Sequence, residues 1–472
     1  MRRLLVSFLL AAAVACAVNP VTGRRELSLV SESQEIEMGR QGAADVVQSI
    51  GAYPDSAAQA LVTRVGMKLA ALSERPDLPW TFTVVDDPAI NAFALPGGFI
   101  FVTRGIMTHF NSEGELAAVL GHEIGHVTAR HSVRQISRAQ VAQLGLGIGM
   151  ILSEDIAKFG GLASQGLGLV FLKFSRDDES QADRLGFKYA LQAGYDVRAM
   201  ADVFQMLERV SAQAGSQGKL PEWLSTHPDP ENRFARTRQW LDTLHTDLSR
   251  ATLNHDGYLQ TVNGMVYGVN PRQGFFRGEL FLHPDLKFQL QFPRGWNTQN
   301  QAQAVLGVSP GQDAIVELSL AGQVTPAQAS TQFLSQQGIR AGQSSQNPIN
   351  GNPAVTTAFE AQSDQTALRG LVAFVSYDGS TYRILGYTAA DRIATYNNDF
   401  LGSVSSFRRL TDQSALSVVP NRIETVRVPR AMTLEQFYAR YPSTVPVEQI
   451  ALINALQAGD TIPSGRLVKR VR

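Results

Sequence analysis

His122-Glu123-Ile124-Gly125-His126 puts two imidazoles one helical turn apart, with a carboxylate beside the first. Residues four apart share a face of an α-helix, so His122 and His126 can reach one metal ion at about 2.0 to 2.1 Å while Glu123 points into the same cleft. Zinc held there would lower the pKa of its bound water from 15.7 to roughly 7, and Glu123 would act on that water as general base. Ser112 with Glu115 three positions later reads as a capping box, after which Leu116, Ala117, Val119, Leu120, Ile124 and Val127 supply an apolar helical face. Imidazoles and a carboxylate in or beside such a face are costly to bury unless a metal or hydrogen bonds satisfy them.

A catalytic zinc takes three protein ligands and keeps one position open. His131 is five residues past His126, and at 100° per residue it turns away from the His122/His126 face, so it is expected at the surface or behind the ligands. Glu179 is the stronger third ligand. It lies in Phe174-Ser175-Arg176-Asp177-Asp178-Glu179-Ser180-Gln181-Ala182-Asp183, where a second helix begins. Glu179 and Asp183 share a face of that helix, so Glu179 can ligate zinc while Asp183 accepts the outer N–H of a ligating His and fixes its tautomer. The alternative for this acidic run is a solvated helix start that complements the macrodipole.

Together these residues resemble the gluzincin metallopeptidases, which include the CAAX prenyl endopeptidases, the HtpX membrane proteases and the BepA-like periplasmic proteases. The pattern H-E-x-x-H, then E-x-x-A-D on a later helix, stands here as His122, Glu123 and His126, then Glu179, Ala182 and Asp183. Residues 91–102 look like the family's strand beside the cleft, and Ser225-Thr226-His227-Pro228 followed by Arg233 like a further block. The resemblance covers roughly residues 25 to 245. It implies one Zn2+ per chain on His122, His126 and Glu179, with His227 able to take the fourth position in a resting state and Arg233 near the site. The residues leave two alternatives open: His227 in its Pro-bounded turn suits a helix cap equally well, and Arg233 either stabilises an oxyanion or begins a solvated helix with Arg236 and Arg238.

What the resemblance implies for function is a zinc metalloendopeptidase of the bacterial cell envelope. It would hydrolyse peptide bonds of unfolded or misassembled envelope proteins by Glu-assisted attack of zinc-bound water. The rival reading is an envelope chaperone or assembly factor whose zinc site is kept latent by His227.

Met1-Arg2-Arg3, an apolar run over 4–14 and small residues up to Cys16 read as a secretory signal peptide occupying residues 1–15. Ala13-Val14-Ala15-Cys16 resembles a bacterial lipobox. Cys16 is the only cysteine, so the chain forms no internal disulfide, and lipidation explains its position better than redox chemistry does. The expected location is the periplasm, anchored to the inner face of the outer membrane; ordinary signal cleavage to a soluble periplasmic protein is the alternative. The apolar stretches at 144–152 and 160–172 are interrupted by Glu154, Asp155 and Lys158, short of the ~20 residues a bilayer needs. With 42 Lys+Arg against 42 Asp+Glu, net charge gives no warrant for nucleic-acid binding.

The expected fold is multidomain: a mainly α, zincin-type catalytic domain with a small sheet at 16–245, a linker at 246–275, an α+β domain at 276–410 and a small βααβ module at 421–472. Catalytic helices are expected at 30–50, 57–72, 112–139, 179–193 and 199–210, with strand-like runs at 80–85 and 93–102. A polar, Gly-rich loop over 211–219 could cover the cleft. The α+β domain loosely resembles the PsbP/Mog1-like fold, and its neighbourhood offers only His255 and His283, which read as structural or surface residues. The last segment resembles a LysM-like module on Leu434, Phe437, Ile450, Ile453, Asn454 and Ile462 to Leu467, but opens with Arg430-Ala431-Met432-Thr433 in place of Gly-Asp-Thr. Peptidoglycan binding, a structural cap and protein docking all remain open for it.

Overall fold

The computed structural model describes residues 16–146, 173–215, 223, 226, 227, 229–362 and 367–472. The expected signal peptide, most of the 144–152 stretch, all of 160–172, residues 216–219 of the polar loop, Ser225 and Pro228 lie outside the described residues. The chain forms two compact units, one of Met1–Val269 with Asn421–Arg472 and one of Asn270–Pro420.

In the first unit a short hairpin, β1 (Cys16–Val18) and β2 (Arg25–Leu27), precedes helices α1 (Glu32–Ile50) and α2 (Ser56–Ala70). Strands β3 (Thr81–Val85), β4 (Ala92–Leu95) and β5 (Phe99–Thr103) form a sheet in the order β3-β5-β4, with β3 parallel and β4 antiparallel to β5. The run expected as one strand over 93–102 is therefore a hairpin. It folds back at Gly97 (φ 79°) and Gly98 (φ 102°), a backbone that L side chains rarely adopt.

Helix α3 (Arg104–His109) leads into α4 (Glu113–Thr128), which carries the H-E-x-x-H residues, and α5 (His131–Leu146) follows. The single helix expected over 112–139 is broken at Ala129 and Arg130. Arg130 adopts φ 56° and is held there by its guanidinium, which donates to the buried Glu35 carboxylate at 2.9 Å and to Val30 O at 3.0 Å. At the start of α4, Ser112 Oγ accepts from Glu115 N at 3.2 Å, but the Glu115 carboxylate accepts from Asn111 N at 2.9 Å, one residue earlier than a capping box requires.

Helix α6 (Arg176–Gln192) has the box that α4 lacks, between Ser175 and Asp178. It crosses α4 where glycines remove side chains from the contact. A Cβ on Gly186 would lie 2.7 Å from His122 N, and one on Gly125 would lie 2.9 Å from Ala182 O. Helices α7 (Arg198–Gly215), α8 (Pro230–Asp242) and α9 (His255–Val262) complete the layer. The stretch expected as a linker is corrected in part, because α9 lies within it and buries Tyr258, Leu259 and Val262, with Tyr258 Oη donating to Met107 O at 2.7 Å.

The C-terminal segment shares the hydrophobic core of this unit rather than forming one of its own. Strands Ile423–Arg427 and Leu467–Val471 pair antiparallel around helices Leu434–Arg440 and Val447–Ile453. The Asn454 amide donates to Ile450 O and Lys469 O and accepts from Lys469 N, each at 2.8 Å, which spends the side chain on holding the last strand. Lys469 is fully buried, its ammonium donating to Thr108 O at 3.0 Å and Phe110 O at 2.6 Å, just ahead of α4. Burial drives the Lys469 pKa down and the Glu115 pKa up, each opposed by the other's charge.

The second unit is α+β. A seven-stranded antiparallel sheet runs Ile339–Ser345, Ala354–Gln362, Ala367–Tyr377, Ser380–Ala389, Ala314–Gly322, Ala304–Val308, Asn297–Asn300 in spatial order. A four-stranded sheet containing Phe288–Gln291 and the helices Pro326–Leu334 and Ile393–Ser406 accompany it, and Phe288, Phe292, Val316, Ile384, Phe400 and Phe407 lie in its main core. His283 Nδ1 accepts from Leu286 N at 3.2 Å, a turn contact, and His255 in the first unit lies 2.9 Å from Asp256.

Candidate metal centre

His122, His126, Glu179 and His227 converge from α4, α6 and the segment before α8, and their donor atoms all lie within 4.8 Å of one another. All four are buried. His126 Nε2 faces His122 Nε2 at 3.0 Å, His227 Nδ1 lies 3.3 Å from His122 Nε2, and Glu179 Oε1 lies 3.4 Å from His126 Nε2. Ligands at about 2.0 to 2.1 Å from a tetrahedral ion are about 3.3 to 3.4 Å apart, so this spacing suits a zinc-sized ion with N/O ligands. The separation of α4 and α6 that permits it is set by the glycine contacts at Gly125 and Gly186.

Two buried carboxylate oxygens, Glu123 Oε1 and Glu179 Oε2, have no hydrogen-bond partner among the described residues. Glu179 Oε2 lies 2.9 Å from Arg233 Nη1, an ion contact whose direction makes no hydrogen bond. Unspent acceptors at the focus of a donor cluster fit a cation, which would satisfy them and so offset the cost of burial.

Asp183, one turn after Glu179 on α6, places Oδ1 2.9 Å from His122 Nδ1. A carboxylate there accepts the Nδ1 proton and leaves the Nε2 lone pair aimed at the cluster. Arg233 is fully buried rather than solvated, and it does not reach open space. Its Nη2 donates to Asp183 Oδ1 at 2.6 Å and its Nε to Asp183 Oδ2 at 2.9 Å, while its guanidinium lies 4.6 Å from the Trp223 ring centre and 4.5 Å from that of Phe204. Nη2 is also 3.1 Å from His122 Nδ1, but the shorter contact commits it to Asp183.

The charges of the site follow from burial and these neighbours. Burial raises Asp183 and Glu179, but Arg233 together with His122 outweighs it at Asp183, and His227 and Arg233 together with the His126 contact outweigh it at Glu179, so both carboxyls fall below their ordinary range. Burial lowers His122 and takes His126 well below 6.5, which favours the neutral, metal-binding imidazole. At His227 burial works downward, yet Glu179 and Glu123 raise it. Burial pushes Glu123 up to about 7.

His131 takes the second of its two expected positions, buried behind His126 and not at the surface. Its Nδ1 lies 2.9 Å from His126 Nδ1 and its Nε2 3.0 Å from Gln181 Oε1. It stays out of the ligand cluster, and Arg130 ends α4 in a left-handed conformation before α5 begins at His131. Two ring contacts also escaped sequence reasoning: Phe174 lies tilted against His126 at 4.0 Å, and Trp223 stacks on His227 at 4.8 Å. An aromatic residue beside a motif was the only signal available for either.

Two packed helices presenting H-E-x-x-H and E-x-x-A-D to one point define a centre of the metallopeptidase type. Residues 56–241 match the model of Peptidase family M48. It is 34% identical over 232 residues to the mitochondrial metalloendopeptidase OMA1 of Schizosaccharomyces pombe, covering 47% of this chain and 65% of that protein. It is 33% identical over 186 residues to the putative beta-barrel assembly-enhancing protease of Vibrio cholerae, covering 38% of each. The beta-barrel assembly-enhancing protease of Escherichia coli K12 is 30% identical over 228 residues, covering 46% of each. The chain thus spans between 38% and 65% of the length of these relatives.

Proposed function

We propose that this protein is a zinc-dependent endopeptidase of the bacterial cell envelope, acting on unfolded or misassembled envelope proteins. The observation that carries the reading is the buried meeting of His122, His126, Glu179 and His227, with the Glu123 carboxylate beside it. Zinc bound by these residues supplies a Lewis acid and an acidified water at neutral pH. Glu123, pushed up to about 7, is poised to take a proton from the attacking water and return it to the leaving amine. Asp183 orients His122, and Arg233 fixes Asp183 and Glu179 from behind. In this reading Arg233 positions carboxylates and does not bind the oxyanion.

Export and lipid anchoring through Cys16, on the inner face of the outer membrane, belong to the same proposal. No helix among the described residues is long and apolar enough to cross a membrane. Relatives named for β-barrel assembly support the substrate class, and one zinc per chain is the stoichiometry the cluster suits.

A second reading, a latent site gated by His227, rests on the 3.3 Å approach of its Nδ1 to His122 and the 2.9 Å contact with Glu179. One experiment tests both. Casein cleavage by zinc-loaded wild type should be abolished in Glu123→Gln with zinc retained, and should rise in His227→Ala. A fully active Glu123→Gln variant would refute the peptidase reading, and a His227→Ala variant no more active than wild type would refute the gate.

A further inference from the structure

We propose that His131 and Gln181 form a relay that fixes the tautomer of His126, so that its Nε2 lone pair faces the metal; the proposal rests on the zinc reading above. The chain of contacts has one consistent proton assignment. Gln181 Oε1 can only accept, so the proton of neutral His131 sits on Nε2, 3.0 Å away. His131 Nδ1 is then bare and accepts, and His126 Nδ1, 2.9 Å from it, must be the donor. That leaves His126 Nε2 without a proton at the point where it faces His122 Nε2 and Glu179 Oε1.

His122 reaches the same state through Asp183. The two ligands of α4 are therefore served by different devices. One has a carboxylate directly behind it, and the other has an imidazole and then an amide. Both terminal acceptors, Gln181 and Asp183, come from α6, the helix that also carries Glu179. A helix that supplies one ligand thus sets the proton positions of the other two.

The relay has requirements that ordinary core packing does not share. His131 is buried in the narrow space between α4 and α6, with Phe174 6.1 Å from its ring centre. Replacing it with another aromatic ring keeps a ring in the packing and removes both the acceptor for His126 and the donor to Gln181. Reversal of the Gln181 amide would reverse every proton in the chain and put a hydrogen on His126 Nε2, where no metal could bind.

Zinc affinity of the full-length protein, measured by competition with a chromophoric chelator, tests the relay. His131→Phe and Gln181→Met should each weaken zinc binding by about 10- to 100-fold. Gln181→Glu, which keeps an acceptor facing His131, and His131→Gln, whose carbonyl can accept from His126, should stay near wild type. His109→Phe is the control, because His109 is also buried but its ring bonds Gly105 O away from the cluster; it should alter stability without altering zinc affinity. In zinc-loaded protein with ¹⁵N-labelled histidine, His131 should carry its proton on Nε2, a readout that needs no substitution. Zinc affinity within twofold of wild type in folded His131→Phe, or a proton on Nδ1 of His131, would overturn the relay. Absence of zinc from the wild type would instead overturn the function proposed above.

Discussion

Replacing Arg233 by Met should remove more stability than any other single change behind the metal site. The guanidinium is fully buried and makes two charge-assisted hydrogen bonds to Asp183, at 2.6 and 2.9 Å, besides its 2.9 Å ion contact with Glu179. Hydrogen bonds to charged groups contribute about 1.5 to 3 kcal/mol each, so the pair to Asp183 alone amounts to about 3 to 6 kcal/mol. Removing one partner of a buried ion pair costs about 3 to 5 kcal/mol, which agrees. Methionine fills much of the space between Trp223 and Phe204, so the loss reports charge rather than a cavity. The chain has two compact units and no single unfolding transition is assured, so the measurement should be local. Hydrogen exchange of the α4 and α6 amides in metal-free protein should show their opening free energy reduced by about 3 to 5 kcal/mol. Saturating zinc should restore only part of it, because the metal satisfies Glu179 and leaves Asp183 without its cationic partner. Arg233→Lys should fall between the two, since a point charge cannot serve both oxygens in the same plane. A reduction below about 1 kcal/mol in Arg233→Met would refute the claim that Arg233 compensates these buried carboxylates.

Gly186→Ala should push α6 away from α4, because the new Cβ would meet His122 N at 2.7 Å. A stability loss of about 1 to 3 kcal/mol together with weaker zinc binding is expected in denaturation and chelator titrations, and unchanged affinity would show that the crossing does not set the site. Lys469→Met should destabilise the catalytic unit by about 3 kcal/mol by leaving Glu115 buried without its opposite charge. Adding Glu115→Gln should recover part of that loss in thermal unfolding, and strict additivity would exclude the coupling. For metal-free protein, burial holds the Glu123 pKa near 7 against 4.5 when unfolded, so the proton favours the native state. Its contribution is complete below pH 4.5 and is lost as pH rises through 7. The unfolding midpoint of metal-free wild type should therefore drop relative to Glu123→Gln over that window, and parallel curves would contradict the assignment.

The chemistry was legible in residue type and spacing because a helix converts i and i+4 into one face without help from the rest of the fold. That is why His122, Glu123 and His126 could be read directly, and why Glu179 with Asp183 could be assigned complementary tasks on a second helix. The strand, helix, helix, strand order of the last segment was legible in the same way. Periodicity holds only while an element continues. It took His131 off the ligand face but left open whether it lay at the surface or behind the ligands, since Arg130 ends α4 in a left-handed conformation stabilised by Glu35, a residue 95 positions earlier. It also joined β4 to β5, where two glycines reverse the chain.

Tertiary structure alone decided the fates of the buried charges. In sequence a solvated helix start was one of two readings of Arg233, and nothing local marks Lys469 as buried. Each is buried because a partner far along the chain meets it, Asp183 50 residues away and the Thr108 and Phe110 carbonyls about 360 residues away. Local sequence determined which groups could bind a metal and from which helices. The packing of α4 on α6, through glycines that admit close approach, determined that they meet at one point, because only long-range contacts can supply the energy that keeps those charges out of water.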